Sequence, residues 1–109
     1  MYRIDNRGNI RLPWGDTLLA CIPLCAEIPE GTEAVLSICT GGRSDAVLQK
    51  HLSIANNRIT VILTNEESEA LDVGHYLYDV GLVTSRDGEK LNVLSVFSPP
   101  SRTLEITRR

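Results

Sequence analysis

The sequence predicts an all-β protein, an antiparallel β-sandwich of about seven to eight strands with one short helical turn. Three observations support this fold class. Apolar residues recur at every second position along most of the chain, which is the period of a strand with one buried face. Turn-forming residues separate these runs at fairly regular spacing. Leu71, Gly74 and Tyr76 have the spacing of a tyrosine corner, a connection that crosses between the two sheets of a sandwich.

The length, net charge and apolar runs of the chain limit the number of domains and the kinds of partner. The 109 residues fit a single domain, residues 1–109, that can bury enough surface to fold without a disulfide or a metal. A net charge of −3 argues against nucleic-acid binding, which depends on basic residues that neutralise phosphates. The longest apolar run, residues 18–26, is shorter than the ~20 residues that a membrane helix needs. We therefore expect no nucleic-acid and no membrane partner.

The N-terminus predicts cytoplasmic synthesis, and the number and spacing of the cysteines predict free thiols. The first residues contain no apolar segment typical of a secretory signal, so we expect cytoplasmic synthesis without export. Cys21, Cys25 and Cys39 are an odd number and lack the spacing of a zinc site. We expect them to be buried free thiols.

The first half of the chain reads as a series of short strands. Residues 2–5 and 9–12 flank a turn and predict a small hairpin or the start of a first strand. Residues 17–25 alternate with apolar side chains on both faces, which suggests a strand covered on both sides, and Pro23 predicts a bend or a change of sheet. Strands are then expected at 33–40 and, facing solvent, at 46–54. Asn56 and Asn57 form a natural turn because Asn tolerates positive φ.

The second half contains the corner. A strand at 58–64 ends in Thr64-x-x-Glu67, the spacing of a capping box that begins a single helical turn. The corner predicts that the Tyr76 hydroxyl bonds to the backbone of the connection, so that Tyr76→Phe costs about 1–2 kcal/mol. A long strand at 75–84 leads to Asp87-Gly88, a pair suited to a tight hairpin turn, and returns at 89–97. Residues 98–109 are expected to form an extended C-terminal arm or to pair with an edge.

The sequence contains no recognisable catalytic signature. His51 and His75 are isolated, the segment 41–44 lacks the helix entry of a phosphate loop, and the Asp residues do not form a calcium loop. We therefore expect a protein that is not an enzyme and holds no cofactor and no metal. Trp14 lies in a predicted loop, where it either closes one end of the sandwich or exposes its indole as a platform for a sugar.

The segment from Ile59 to Leu82, followed by Asp87-Gly88, resembles the small immunoglobulin-like domains of phage and prophage tail and baseplate proteins. The N-terminal domain of upper baseplate proteins from phages of Gram-positive hosts is the type it is most similar to. In those domains a strand ending in Thr leads to a helical turn, a Leu-x-x-Gly-x-Tyr-x-Tyr-Asp corner and a Gly-containing hairpin. The resemblance covers residues 58–97 well and residues 2–53 by general order. It implies an immunoglobulin-like sandwich in a virion.

Two functions remain open at this point. The first is a non-enzymatic structural or assembly module that contacts copies of itself or neighbouring virion proteins through edge strands and loops. In that case the acidic turn from Glu66 to Asp72 would pair, between copies, with the C-terminal arginines, which are Arg102, Arg108 and Arg109. The second is a carbohydrate-binding module that uses Trp14 and the loops around it.

Overall fold

The computed structural model describes residues 2–24, 31–40, 46–86, 89–96 and 102–108. These residues form nine strands and one short helix, which confirms the predicted all-β fold. In chain order the elements are β1 (Arg3–Ile4), β2 (Ile10–Pro13), β3 (Leu18–Pro23), β4 (Thr32–Cys39), β5 (Ala46–Ala55), β6 (Arg58–Leu63), α1 (Asn65–Glu69), β7 (Gly74–Arg86), β8 (Glu89–Ser95) and β9 (Arg102–Thr107).

The strands form two layers that are joined through β5. The strand order is β1-β2-β9-β7-β4-β5-β6-β3, and β8 pairs with the C-terminal half of β7. β5 pairs with β4 along most of its length, whereas its last residues, Ser53–Ala55, pair with β6. This change of partner carries the sheet from one layer into the other. All described pairings are antiparallel except that of β2 with β9, which is parallel.

Apolar side chains from both layers meet in one core. Ile10 from β2, Leu36 from β4 and Val61 from β6 line the same small apolar void, so the two layers face each other as in a sandwich. The alternation seen in the sequence is reproduced here, since every second residue of β4 is buried. Each fully buried Leu, Ile or Val contributes roughly 1.5–3 kcal/mol. The fully buried core residues include Leu12, Ala34, Ile59, Leu63 and Val80.

The C-terminal segment is not an arm over the residues that the structure describes. β9 lies inside the sheet, parallel to β2 on one side and antiparallel to β7 on the other. Leu104 and Ile106 are 2 % and 1 % exposed. Of the two alternatives for residues 98–109, the extended arm is therefore wrong for 102–107. This segment pairs with strands, as the other alternative expected, but it lies between two of them and not beside an edge. A short alternating strand looks the same in sequence whether it has one neighbour or two, because alternation reports faces and not edges.

β3 also differs from its prediction. Among the described strands it pairs only with β6, and it ends at Pro23 without changing sheets. One face is covered: Leu18 is buried, whereas Leu19 is 53 % exposed and Cys21 is exposed. Pro23 is tolerated because it closes an edge strand, where a missing N–H breaks no ladder bond. The expectation of buried thiols is thus wrong for Cys21. Cys39 is half-buried, and Cys25 lies outside the described residues.

The predicted local turns are confirmed where the structure describes them. β1 and β2 form the N-terminal hairpin, with Arg3 opposite Arg11. Asn56 and Asn57 join β5 to β6 with φ values of 53° and 57°. Arg86 lies opposite Glu89 in the β7–β8 hairpin. The predicted turn residues Asp87 and Gly88 lie outside the described residues.

Candidate functional site

The connection from α1 to β7 brings the three predicted corner residues together. The Tyr76 hydroxyl donates to the Asp72 carbonyl at 2.8 Å, which is the hydrogen bond of a tyrosine corner. Leu71 is buried beneath the connection, and Gly74 begins β7 opposite Ile106. Burial and the nearby Asp72 charge raise the pKa of Tyr76, so its hydroxyl stays a donor at neutral pH. The corner fixes where the chain enters β7; its chemistry is structural.

A capping box stabilises the acidic turn that precedes the corner. The Thr64 hydroxyl accepts from the Glu67 amide at 3.2 Å, and the Glu67 carboxylate accepts from the Thr64 amide at 3.0 Å. The same carboxylate accepts from Lys50 Nζ at 2.6 Å. Burial alone would raise the pKa of Glu67, but the hydrogen bonds from Lys50 and Thr64 outweigh it and lower the pKa. Glu67 is therefore engaged within the molecule.

Trp14 lies at the same end of the sandwich as the corner. Its amide donates to the Thr107 carbonyl at 2.9 Å, and the next amide, of Gly15, donates to the hydroxyl of buried Ser68 at 2.9 Å. These bonds hold the loop against α1 and β9. The Trp14 side chain remains 40 % exposed, and it is the one exposed aromatic residue in the described part of the chain.

A polar groove of about 370 Å³ crosses the outer face of β1, β2, β9 and β7. Strand pairing aligns Arg3, Arg11, Glu105 and His75 in one row across it. Arg11 Nε bonds to Glu105 Oε1 at 3.2 Å, so the central charges neutralise each other. The groove is open and exposed and has no activated nucleophile or base among its described residues. It offers hydrogen-bonding groups to a partner.

Asp5 sits at one end of this groove and serves the N-terminal hairpin. Its carboxylate accepts from the amides of Arg7 and Asn9 at 2.8 and 2.9 Å. The bond from the Asn9 backbone lowers the pKa of Asp5 most; desolvation opposes it, and the bond from the Arg7 amide adds to the lowering. On the inner side the Tyr78 hydroxyl donates to the Gly8 carbonyl. Asp5 is thus a turn-stabilising group.

Within the described part of the chain, no strand pairs with the outer edge of β3. The Leu24 amide donates to the Asn57 carbonyl at 2.8 Å, which places the even-numbered residues of β3 on the side of β6. Leu19, Cys21 and Pro23 therefore direct their backbone groups away from β6, because these directions alternate along a strand. Among the described residues, the Tyr2 hydroxyl bonded to the Leu19 carbonyl is the one group that reaches this edge.

The other edges in the described part of the chain are less suited to a partner. β1 is two residues long, and β8, which pairs with β7 alone among the described strands, begins with the charged residues Glu89 and Lys90. The part of β5 that β6 does not cover carries Gln49, Lys50 and His51, and polar or charged residues protect an edge from pairing. β3 carries no charged residue, and Leu19 lies beside Ile62 of β6, which is 37 % exposed. β3 is therefore the strongest candidate for contact.

The sequence analysis did not predict this edge, although Pro23 is a signal for an edge strand. Apolar residues on both faces of residues 17–25 predicted coverage on both sides, and the structure covers only one. Pro23 was compatible with an edge from the start, but it was interpreted as a bend. A proline in a strand that is apolar on both faces is therefore compatible with an edge strand that has one exposed apolar face.

The chain matches no known family model, and no curated protein matches it in sequence. No helix in the described ranges has the length and apolar character needed to cross a membrane.

Proposed function

We propose that this chain is a non-enzymatic assembly module that binds another protein chain by strand addition to β3. The observation that carries the proposal is an uncharged edge strand whose outward backbone groups, Leu19, Cys21 and Pro23, face away from β6. Strand addition gives such groups hydrogen-bond partners and covers apolar side chains in the same step. The partner is another copy of the chain or a neighbouring protein of the same assembly.

The resemblance of residues 58–97 to tail and baseplate domains supports a virion as the setting. Such assemblies are built from repeated protein contacts, for which a rigid sandwich with an uncharged open edge is suitable. The corner and the capping box support the same role, since they hold the two layers in a fixed relation. An immunoglobulin-like module of a phage or prophage tail or baseplate is the most specific form of this proposal.

The test is the solution mass, measured by light scattering over a range of protein concentration. Wild type should gain mass with concentration, and Leu19→Lys should remain monomeric because it adds a charge to the β3 edge. Val47→Lys is the matched control: it places the same charge at a 51 % exposed apolar residue of β5 and should associate as wild type does. A wild-type chain that is monomeric throughout rules out self-association and leaves a neighbouring protein as the partner. A Leu19→Lys variant that associates as wild type does contradicts the proposal.

A second arm of the same experiment varies the salt concentration. Glu66, Glu69 and Asp72 are exposed on the acidic turn, whereas Glu67 is bonded to Lys50. If these three carboxylates pair with the C-terminal arginines of a neighbouring copy, added salt will reduce the mass at fixed protein concentration. A mass that is independent of salt removes the charge pairing and leaves backbone and apolar contacts as the cause of association.

Carbohydrate binding remains a second candidate because Trp14 exposes two-fifths of its side chain on a loop held by backbone hydrogen bonds. Trp14 is the only tryptophan, so its fluorescence reports on this loop alone. A saccharide that shifts the emission in a saturable way, with the effect lost in Trp14→Ala, would support a sugar site. An emission spectrum that no member of a glycan panel changes removes this candidate.

A further inference from the structure

We infer that the partner of β3 is a second copy of this chain, paired antiparallel through its own β3 about a twofold axis at Cys21. This inference rests on the proposed function and specifies its partner and its register. In this pairing Cys21 lies opposite Cys21 of the second copy, and Leu19 lies opposite Pro23 of the second copy. Two sandwiches then share one continuous run of strands, β6-β3-β3-β6.

The backbone hydrogen bonds of the three outward residues fit this register. Residues that lie opposite each other on a bonded edge exchange N–H and C=O groups. The two Cys21 residues exchange two bonds across the axis. Each Leu19 amide donates to the Pro23 carbonyl of the other copy. Four backbone hydrogen bonds therefore join the strands.

The Leu19 carbonyl is the one outward group that this register leaves without a backbone donor, and Pro23 and Tyr2 explain why it needs none. Pro23 has no N–H, so it leaves the Leu19 carbonyl of the opposite copy without a backbone donor. That carbonyl already accepts from the Tyr2 hydroxyl of its own chain. Every outward donor and acceptor of Leu19, Cys21 and Pro23 then has one partner. Unpaired backbone groups are costly in a buried interface, so this match is the main argument for the register.

Neighbouring registers lack this match. A shift of two residues in one direction places Pro23 opposite Cys21, whose carbonyl has no other donor. A shift of two residues in the other direction gives the Leu19 carbonyl both a backbone donor and the Tyr2 hydroxyl, and it places Pro23 opposite Thr17, whose carbonyl is left without one. A pairing centred on Pro23 loses both central hydrogen bonds. Only the Cys21-centred register uses the proline and the tyrosine together.

The side chains favour the same pairing. On the outer face, exposed Leu19 would pack against exposed Pro23 of the second copy and continue to Ile62. On the inner face, half-buried Ala20 would contact half-buried Ile22. No charged side chain lies within β3, so the pairing brings no like charges together.

Thiol cross-linking tests the register. With Cys25→Ser and Cys39→Ser as the background, Cys21 thiols on residues about 5.5 Å apart should be joined by a short thiol-bridging reagent such as dibromobimane. The matched control is Leu19→Cys combined with Cys21→Ser. Its thiols would lie four residues apart along the pair, about 14 Å, and should stay unlinked. Linkage of the control but not of Cys21 overturns the register.

A compensating pair of substitutions gives an independent test in chains that retain all cysteines. Tyr2→Phe leaves the Leu19 carbonyl without a donor at two symmetric sites and should weaken dimerisation about tenfold. Pro23→Ala supplies an N–H at the opposite position, so the double variant should recover the wild-type dimerisation constant. Both substitutions lie at the edge, so the monomer should keep its fold, which circular dichroism verifies. Absence of recovery in the double variant overturns the pairing of Leu19 with Pro23.

The two proposals fail separately. If wild type associates and Leu19→Lys abolishes association, but neither cross-linking at Cys21 nor recovery is seen, the register is wrong and β3 still serves as an assembly edge. If wild type is monomeric and Cys21 is not cross-linked at any concentration, both the register and the proposed self-assembly are wrong.

Discussion

β9 and β3 are both strands of six residues in which buried and more exposed side chains alternate. β9 is an interior strand of the sheet, whereas β3 is an edge strand. β9 is paired on both sides, and its Leu104 and Ile106 are buried. Of the strands that the structure describes, β6 alone pairs with β3, whose Leu19 and Cys21 are exposed. The difference shows that period-two alternation determines which face of a strand is buried, whereas the number of neighbours depends on topology.

The largest expected effect compares one leucine from each strand. Leu104→Ala should destabilise the protein by about 3 kcal/mol, because it removes buried methyl groups and leaves a cavity between strands that are held on both sides. Leu19→Ala removes the same atoms from a 53 % exposed side chain and should cost less than about 0.5 kcal/mol. Urea unfolding of both variants measures the difference. If the wild-type chain associates, Leu104→Ala is measured in the monomeric Leu19→Lys background and compared with Leu19→Lys alone.

Equal losses of stability at the two positions would contradict the assignment of β9 to the interior. A loss at Leu19 that depends on protein concentration has a different meaning, because association adds to apparent stability by mass action. The measurement is therefore repeated at two protein concentrations.

Local features could be predicted from the sequence, because each depends on residues a few positions apart. The capping box of Thr64 and Glu67, the Asn56-Asn57 turn and the spacing of the corner are of this kind. The neighbours of β3 and β9 could not, because strand order depends on contacts between distant parts of the chain. The parallel pairing of Ile10 with Leu104, residues 94 positions apart, has no local signal. The partner of the β3 edge was missed for the same reason.

The next effect compares three tyrosines, each of which donates a hydroxyl hydrogen bond to a backbone carbonyl. Tyr78 is 5 % exposed and bonds to Gly8 in the interior, so Tyr78→Phe should cost about 1–2 kcal/mol. Tyr76 bonds to Asp72 at a more exposed site, so Tyr76→Phe should cost about 1 kcal/mol. In the monomer Tyr2→Phe should cost less than about 0.5 kcal/mol, because water replaces the edge bond. Urea midpoints check this order, and an unchanged midpoint for Tyr76→Phe would mean that the corner does not stabilise the fold.

The dependence of stability on alkaline pH gives a second test of the burial of the Tyr78 hydroxyl. Burial raises the pKa of Tyr78 to about 12 from 10.0, with Arg102 opposing the rise and Asp5 adding to it. A group whose pKa is raised on folding favours the folded state below its unfolded pKa and loses that contribution as pH rises. Stability of wild type should therefore fall between pH 10 and about 12, and Tyr78→Phe should fall less. Parallel curves for the two proteins would contradict the burial of the hydroxyl.

A smaller effect is expected in acid at the capping box. The pKa of Glu67 is lowered from 4.5 on folding, so its contribution is complete above that pH and is lost as pH falls through the folded value. Glu67→Gln should cost about 0.5–1 kcal/mol at neutral pH and show a shallower loss of stability in acid. Thermal unfolding from pH 6 to pH 3 checks this, with exposed Glu69→Gln as the control. Identical pH profiles for wild type and Glu67→Gln would show that the bond to Lys50 stabilises nothing.

The smallest effect belongs to the charged row across the polar groove. Arg11 and Glu105 form an ion pair whose side chains are 65 % and 32 % exposed, and such pairs contribute about 0–1 kcal/mol. Arg3 lies directly opposite Arg11, and this like-charge contact offsets part of that gain. Arg11→Ala alone should therefore change stability by less than about 0.5 kcal/mol, and its cost should rise when Arg3 is already alanine. A double-mutant cycle at low and high salt measures the coupling. A cost of Arg11→Ala that does not depend on Arg3 would mean that the two guanidinium groups avoid each other.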